Sequence, residues 1–509
     1  MRVLKSGMSS LCTASFAVAC FFQCAEAWTS ATTGRPWAGV TSPRSMFSPT
    51  IRRPVLSLFA TLPIESSDET QVARDMDSLL SWAYAQGVET NCLSLQQQEQ
   101  ASLPEGCYGV TASQDAPAGT CVLKVPAKLI LASERIRNEF EATYGSNGDF
   151  VPAVKYIQAT QYRSQLSHFF LFLKVLVEYD KQESSFWYPW LQSLPRSFDT
   201  AIAMDEQELE WLPPYAWALA NVERKHFDIF HEALHKIPEH ILSSRVTGDK
   251  ALIEWAFQVV FTRAWRYPED RKSYETSAPD TDYEYYERCD IVPFGDMFNH
   301  CSNKNLELDY DGNDNFLVYT AYNVTAGSPL YISYGRPTNP YRFLVIFGFC
   351  DTQMPEIFSQ ITLETPTKRH QELGYDLDTM VFRTRDGAIA NAVWDVLLYT
   401  ILEQKPELQE QFYRAHKQGD ETLKQTIHKA FHLETCLTLK SHVDRTLTEM
   451  NDILVRMDTV DDDTKQIHPR YDLIRTNNEF VRGVFAMVKT RVDGMIQAEV
   501  LQRRRGVPA

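Results

Sequence analysis

Close cysteine pairs are missing from this chain of 509 residues. Three of its ten cysteines (Cys12, Cys20, Cys24) lie near the start, and the other seven (Cys92, Cys107, Cys121, Cys289, Cys301, Cys350, Cys436) are odd in number and widely spaced. That spacing excludes a disulfide framework and a Cys-x-x-Cys zinc site, and no metal is expected. A strand–Gly-x-Gly–helix unit is also lacking, which removes the doubly wound nucleotide-binding fold. Positive charge is scarce: 50 Lys and Arg stand against 66 Asp and Glu, for a net charge of -16. A nucleic-acid binder would carry a basic patch instead, whereas this balance weakly suits a basic protein partner. Apolar runs are short as well. Leu11 to Phe22 and Phe169 to Val177 both fall below the roughly 20 residues that span a bilayer, so no membrane partner is expected. What is plentiful is core material, 44% hydrophobic and 12% aromatic, on a chain too long for one core and long enough for two or three domains.

The first 64 residues read as targeting sequence. Arg2 and Lys5 precede the apolar run, and Cys24-Ala25-Glu26-Ala27 supplies a small-x-small cleavage site, the layout of a secretory signal peptide. Trp28 to about Leu62 is then rich in Ser, Thr, Pro and Arg with no acidic residue, which is transit-peptide composition. The combination resembles the two-part presequence of algae with secondary plastids. A plastid address is the expectation, with a secreted protein bearing a disordered arm as the alternative. Removing residues 1–64 takes away six basic residues and one acidic one, lowering the net charge from -16 to -21.

Past the presequence, Met76 to Gln86 reads as a helix ended by Gly87. Glu105-Gly106-Cys107-Tyr108-Gly109-Val110 and the alternating run Cys121 to Val125 read as a turn flanked by strands. From about Val154 to Arg266 the pattern is helical. Ser167 to Glu178 is apolar nearly all round and predicts a helix buried between layers. His168, His226, His231 and His235 are scattered there, and nothing nearby completes a metal site around the i, i+4 pair. Trp255 to Trp265 predicts an amphipathic helix with Arg263 near its end; an Arg there either snorkels or pairs with a carboxylate. Pro268 to Arg288 reads as an acidic, Tyr-rich surface loop. After Asp351 strands are expected to stop, with helices over Thr379–Gln404, Pro406–Lys417, Glu421–Leu433, Ser441–Met457 and Asn478–Arg503.

Two short segments carry the chemistry. Asp296-Met297-Phe298-Asn299-His300 and Tyr331-Ile332-Ser333-Tyr334-Gly335 are apolar enough to be buried, yet hold polar groups that burial penalises unless they bond something. Asn299 can donate and accept, and Tyr334 closes a strand-like run just before Gly335, where a phenol is placed to face a reacting group.

Taken together, these segments resemble the C-terminal half of a SET domain, marked by an Asn-His motif and a Tyr-Gly strand end. They are most similar to the Rubisco large-subunit methyltransferase-like branch. Asp296 to His300 resembles its Asp-x-x-Asn-His pattern, with Cys301 where Ser is more usual. Tyr334, Asn339 and Phe347-Gly348-Phe349 resemble the segment that closes the domain, and Ser185-Phe186-Trp187-Tyr188-Pro189 resembles a packing motif of the insert. The implied fold class is α+β: a β-rich SET domain over 65–350, interrupted by a helical insert at about 137–285, then an all-α substrate-binding domain over 351–509. The implied cofactor is S-adenosylmethionine. The resemblance places Glu105, Cys107 or Tyr108 at its methionine end, Arg263 held by Asp296 on its carboxylate, and Asn299 and the His300 backbone at its amino and adenine groups.

In the same reading Tyr334 is the catalytic residue, orienting a lysine of another protein, and Phe347, where relatives often carry Tyr, lines the acceptor pocket. A lysine has a reference pKa of about 10.4 and must lose its proton on entering the channel, which desolvation beside a sulfonium favours. Rubisco large subunit or an aldolase are the substrates the resemblance implies, and the protein is expected to be a monomer. A catalytically silent adaptor and a protein-histidine methyltransferase are the alternatives. A small-molecule methyltransferase is disfavoured, because that chemistry usually rides on the doubly wound fold.

Overall fold

A computed structural model of the chain describes residues 74–97, 108–145, 148–267, 287–335 and 338–504. The presequence, Glu105, Cys107 and most of the acidic Tyr-rich loop lie outside these residues. Asp75 starts the first helix, Met76–Ala85, by accepting the Ser78 N–H at 2.9 Å, and Leu79 and Ala83 are its fully buried positions.

The strands are short and form several small sheets. β1 (Glu89–Thr90), β2 (Leu93–Gln97), β3 (Tyr108–Ala112), β4 (Cys121–Val125) and β5 (Leu131–Ala132) come from the first part of the chain. β6 (Trp265–Arg266), β7 (Cys289–Ile291), β8 (Asn299–His300), β9 (Leu306–Tyr310), β10 (Phe316–Thr320) and β11 (Tyr331–Ile332) come from the second. They interleave in space, with orders β1-β4-β10-β9 and β5-β7-β6, beside the pairs β2-β3 and β8-β11. Phe316 faces Val125 in the antiparallel β4–β10 register, so two segments far apart in sequence share one sheet. Tyr108 and Gly109, expected in the turn, belong to β3, and the rest of that expected turn, Glu105 to Cys107, lies outside the described residues.

Between these two groups run helices from Ser133 to Arg263. Leu166–Asp180 is buried on all sides, as its nearly all-apolar pattern requires, and its one lysine, Lys174, is neutralised by Glu139 at 2.7 Å and Glu178 at 2.8 Å. The Arg263 helix spans Lys250–Arg263; it starts earlier than expected because Asp249 caps it on the Leu252 N–H at 3.0 Å, and Trp265 is in β6 rather than in the helix.

Strands do not stop at Asp351. β12 (Glu356–Phe358) and β13 (Val381–Arg383) form an antiparallel pair, so the helix expected from Thr379 begins only at Asn391. Gly387 turns the chain there with φ +64, and its Cα lies so close to the Met487 and Val488 backbone that a Cβ would sit 2.8 Å away. From Asn391 onward the chain is helical. The two helices expected at 421–433 and 441–457 are one, Glu421–Asp458, which lies along Tyr471–Arg504. Lys440 and Lys489 each pair with both Asp444 and Asp493 across that hairpin.

Two apolar cores result. One runs from Met76 to Ile332 through the small sheets and Leu166–Asp180; the other joins Ala201–Ala220, Tyr341–Val345 and the C-terminal helices. Tyr334 packs against both.

Candidate active site

The sequence places a tight turn just ahead of Asp296. Phe294 is fully buried with φ +74 and ψ −44, a strained conformation for a side-chain-bearing residue, and the Asp296 N–H returns to the Val292 carbonyl at 2.9 Å. The turn drives Asp296 inward. Its Oδ2 accepts from Arg263 NH1 at 2.9 Å and from the Trp190 indole at 3.0 Å, while Arg263 NH1 also reaches the Asp296 carbonyl at 2.9 Å. Asp296 Oδ1 and Arg263 Nε remain buried and without a partner among the described residues. A buried acceptor and a buried donor left open on the two members of one ion pair are expensive unless polar groups arrive to meet them.

The next residues enter a sheet. β8 and β11 pair in parallel, Asn299 opposite Tyr331 and His300 opposite Ile332. Asn299 Nδ2 donates to the Tyr108 carbonyl at 3.2 Å, tying β8 to the start of β3. Beyond β11 the Tyr334 N–H donates to His300 Nδ1 at 3.1 Å, and its phenol donates to the Phe298 carbonyl at 2.8 Å. Rings surround it: Phe347 at 5.2 Å, His300 at 5.5 Å and Phe349 at 6.1 Å between centroids. Gly348, with φ +73, ends the turn Phe343–Phe347 and lies against Asp199, whose carbonyl carbon would be 2.7 Å from an added Cβ.

Thus Tyr108, Arg263, Asp296, Asn299, His300, Tyr334 and Phe347 lie on two linked stretches of structure: Arg263 on Asp296, Asn299 on Tyr108, and Tyr334 on His300 with Phe347 against its ring. Glu105 and Cys107 lie outside the described residues. Three residues join them that the sequence did not single out. Arg74 donates from Nε to the Ser193 carbonyl at 2.6 Å, reaches Met297 Sδ at 3.7 Å and lies 5.0 Å over the Tyr108 ring. Trp190 directly follows Ser185–Pro189, the motif read as packing, yet its indole donates to Asp296 at 3.0 Å. Asp351 faces His300 Nε2 at 3.4 Å. The only sequence signal for any of them was the cost of burying an Arg or an indole N–H without a partner.

The His231 and His235 rings lie tilted to one another with centroids 5.1 Å apart. The three potential ligand side chains that do converge among the described residues are Asp205, Glu208 and His468, where Glu208 already accepts from Arg470 at 3.1 Å.

Residues 107–335 match the family model described as SET domain. The fold is that of a SET domain. Solved structures of Rubisco LSMT resemble it over most of its length: the form bound to sinefungin and monomethyllysine has a TM-score of 0.54 at 15% identity, covering 84% of this chain and 93% of that one. The SET domain of LSMT bound to lysine and AdoHcy gives a TM-score of 0.53 with the same identity and coverage. Curated relatives include the actin-histidine N-methyltransferases of Gallus gallus, 25% identical over 281 residues, and Homo sapiens, 25% identical over 279. Each match takes in 53% of this chain, which spans only about two fifths (42% and 41%) of those relatives. In this SET fold the paired β8 and β11 bring Asn299-His300 and Tyr334 together, and the helices between the two strand groups supply Arg263 and Trp190. Among the described residues no helix is long and apolar enough to cross a membrane.

Proposed function

We propose that this chain is an S-adenosylmethionine-dependent methyltransferase acting on a side-chain nitrogen of another protein. The observation that carries the reading is the open pair at the Arg263–Asp296 bridge: a buried guanidinium Nε–H donor and a buried carboxylate oxygen. An amino acid's carboxylate and ammonium are complementary to that donor and acceptor, so the residues present fit the methionine end of this cofactor. Bound there, S-adenosylmethionine supplies a methyl group already activated by its sulfonium.

The protein's part is then alignment and exclusion of water rather than covalent catalysis. Asp296 holds Arg263 in place, Asn299 fixes β8 on Tyr108, and the bond from the Tyr334 phenol to the Phe298 carbonyl directs its oxygen lone pairs toward the acceptor. The apolar wall of Phe343, Phe347 and Phe349 favours the neutral form of an entering amine, which is the form able to attack. We assign lysine as the acceptor, in keeping with the lysine-bound structures that share the fold. Histidine is the second reading, supported by the names of the curated relatives. A plastid protein substrate follows from reading residues 1–64 as a presequence.

The test is labelled-methyl transfer from S-adenosylmethionine to plastid and whole-cell protein extracts by residues 65–509, with mass spectrometry naming the acceptor. One or two labelled bands, lost with Tyr334→Phe while cofactor affinity stays within a few-fold, support the reading. Near-full turnover of Tyr334→Phe refutes the role of the phenol. Failure to bind the cofactor favours the adaptor.

A further inference from the structure

One carboxylate stands at the site with no part in holding cofactor or acceptor. Asp351 follows Phe349-Cys350, and its side chain is 12% exposed. Oδ1 accepts the Gln353 N–H at 2.9 Å; Oδ2 accepts the Ser302 hydroxyl at 2.5 Å and faces His300 Nε2 at 3.4 Å. Burial pushes the carboxyl up, but the contacts from His300 and Ser302 outweigh it and hold the group below its ordinary value, so it is ionised.

On the other edge of the imidazole, Nδ1 accepts the Tyr334 N–H at 3.1 Å. A backbone N–H can only donate, so Nδ1 carries no proton and the neutral ring bears its single proton on Nε2. That proton faces Asp351 across a gap longer than a formed hydrogen bond, and among the described residues Nε2 has no hydrogen-bond partner. The ring is 2% exposed and packs 4.5 Å from Phe343.

The bond to Nδ1 matters because β11 ends at Ile332. The last rung of the ladder is the Cys301 N–H to the Ile332 carbonyl at 3.0 Å, and Gly335 turns the chain away with φ +127. His300 therefore supplies with its side chain the main-chain rung that the strand no longer provides. Residues 298 and 300 of one segment grip Tyr334 at both its phenol and its backbone.

We propose that Asp351 is a positioning residue for Tyr334, acting through His300: its carboxylate keeps the imidazole proton on Nε2 and so leaves Nδ1 bare to hold the Tyr334 backbone. The inference rests on the reading of Tyr334 as the residue that faces the reacting nitrogen.

Asp351→Asn separates this from simple packing. With the amide oxygen retained on the Gln353 N–H, the NH2 group faces Nε2. A donor there favours the Nδ1–H tautomer, which sets two N–H groups against each other at Tyr334. The expected result is a fall of about ten-fold in kcat, with cofactor affinity unchanged because Arg263, Asp296, Asn299 and the His300 backbone are untouched. Long-range proton–nitrogen spectra of protein labelled with 15N-histidine, the His300 signals assigned with His300→Gln, show the proton on Nε2 in the wild type and on Nδ1 in Asp351→Asn. Ser302→Ala, which strips the other contact from the same oxygen, keeps the wild-type tautomer. A wild-type proton on Nδ1, an unchanged tautomer in Asp351→Asn, or wild-type kcat in that variant overturns the proposal. The wild-type spectrum decides even where a variant does not fold. A wild type that methylates no protein sinks the methyltransferase reading alone, since the tautomer is still read directly.

Discussion

Replacing Asp296 with Asn tests the bridge on which the site's geometry rests. The Asp296 side chain is fully buried and that of Arg263 is 12% exposed, so little water is available to replace either partner. One oxygen takes both donors, Arg263 NH1 at 2.9 Å and the Trp190 indole at 3.0 Å. An amide has the same shape but one donor end. With its oxygen toward the two donors it keeps both bonds, now to a neutral acceptor, and leaves the guanidinium without a counter-charge. Turned the other way, it sets NH2 against two donors. Breaking a buried pair by removing one charge costs roughly 3–5 kcal/mol. Arg263 keeps its bond to the residue-296 carbonyl, so the lower end applies, about 3 kcal/mol, or roughly 6–12 °C in the melting of this core. Trp190→Phe removes one bond to a charged acceptor and should cost about 2 kcal/mol. Because both bonds converge on one oxygen, the double variant should lose less than the sum of the two. Calorimetry on the three variants reads this directly. A wild-type melting temperature for Asp296→Asn, or strict additivity, would refute the reasoning.

Three further outcomes follow from other parts of the molecule. Gly348→Ala puts a Cβ against the Asp199 backbone at a positive-φ position, and the combined strain and overpacking should destabilise the protein by about 3 kcal/mol, seen as a lower urea midpoint. Phe347→Tyr adds a hydroxyl beside Tyr334, and mass spectrometry of the product should show a changed number of methyl groups; an identical product distribution would remove Phe347 from the acceptor pocket. Burial pushes the Glu223 carboxyl from 4.5 up to about 7, with Arg342 pulling the other way. The folded state then keeps a proton that the unfolded chain releases near 4.5, so this stabilisation is complete below that pH and about 3 kcal/mol is lost as pH rises to 7. Glu223→Gln should gain on the wild type in urea midpoint across that window and then level off. Burial holds His226 (3.9 Å away) and His168 well down, so they slope the opposite way in both proteins and cancel in the difference.

Local signals were strongest where burial and polarity collide. Asn299, His300 and Tyr334 stood out as candidates because an Asn-His pair and a strand-ending phenol inside apolar segments are costly without a purpose, and the helix Leu166–Asp180 was legible because its pattern is apolar nearly all round. Elsewhere local preference misled. The two helices expected over Glu421–Leu433 and Ser441–Met457 leave 434–440 between them, yet Thr435, Cys436 and Leu439 are buried and the contact with Tyr471–Arg504 carries the helix through. Val381-Phe382-Arg383 sits inside a helical-looking window, but pairing with Glu356–Phe358 makes it a strand.

The sequence by itself carried the motifs whose resemblance implies the α+β fold class, and it marked Asn299, His300 and Tyr334 as candidates, because those motifs are written along the chain. Tertiary structure alone decided who holds them. Trp190 meets Asp296, Arg74 meets Met297 and Asp351 meets His300 across long stretches of chain, and each contact depends on where whole helices and strands come to rest. A side chain's hydrogen-bond partner is fixed by packing in three dimensions, and no periodicity along the chain encodes it.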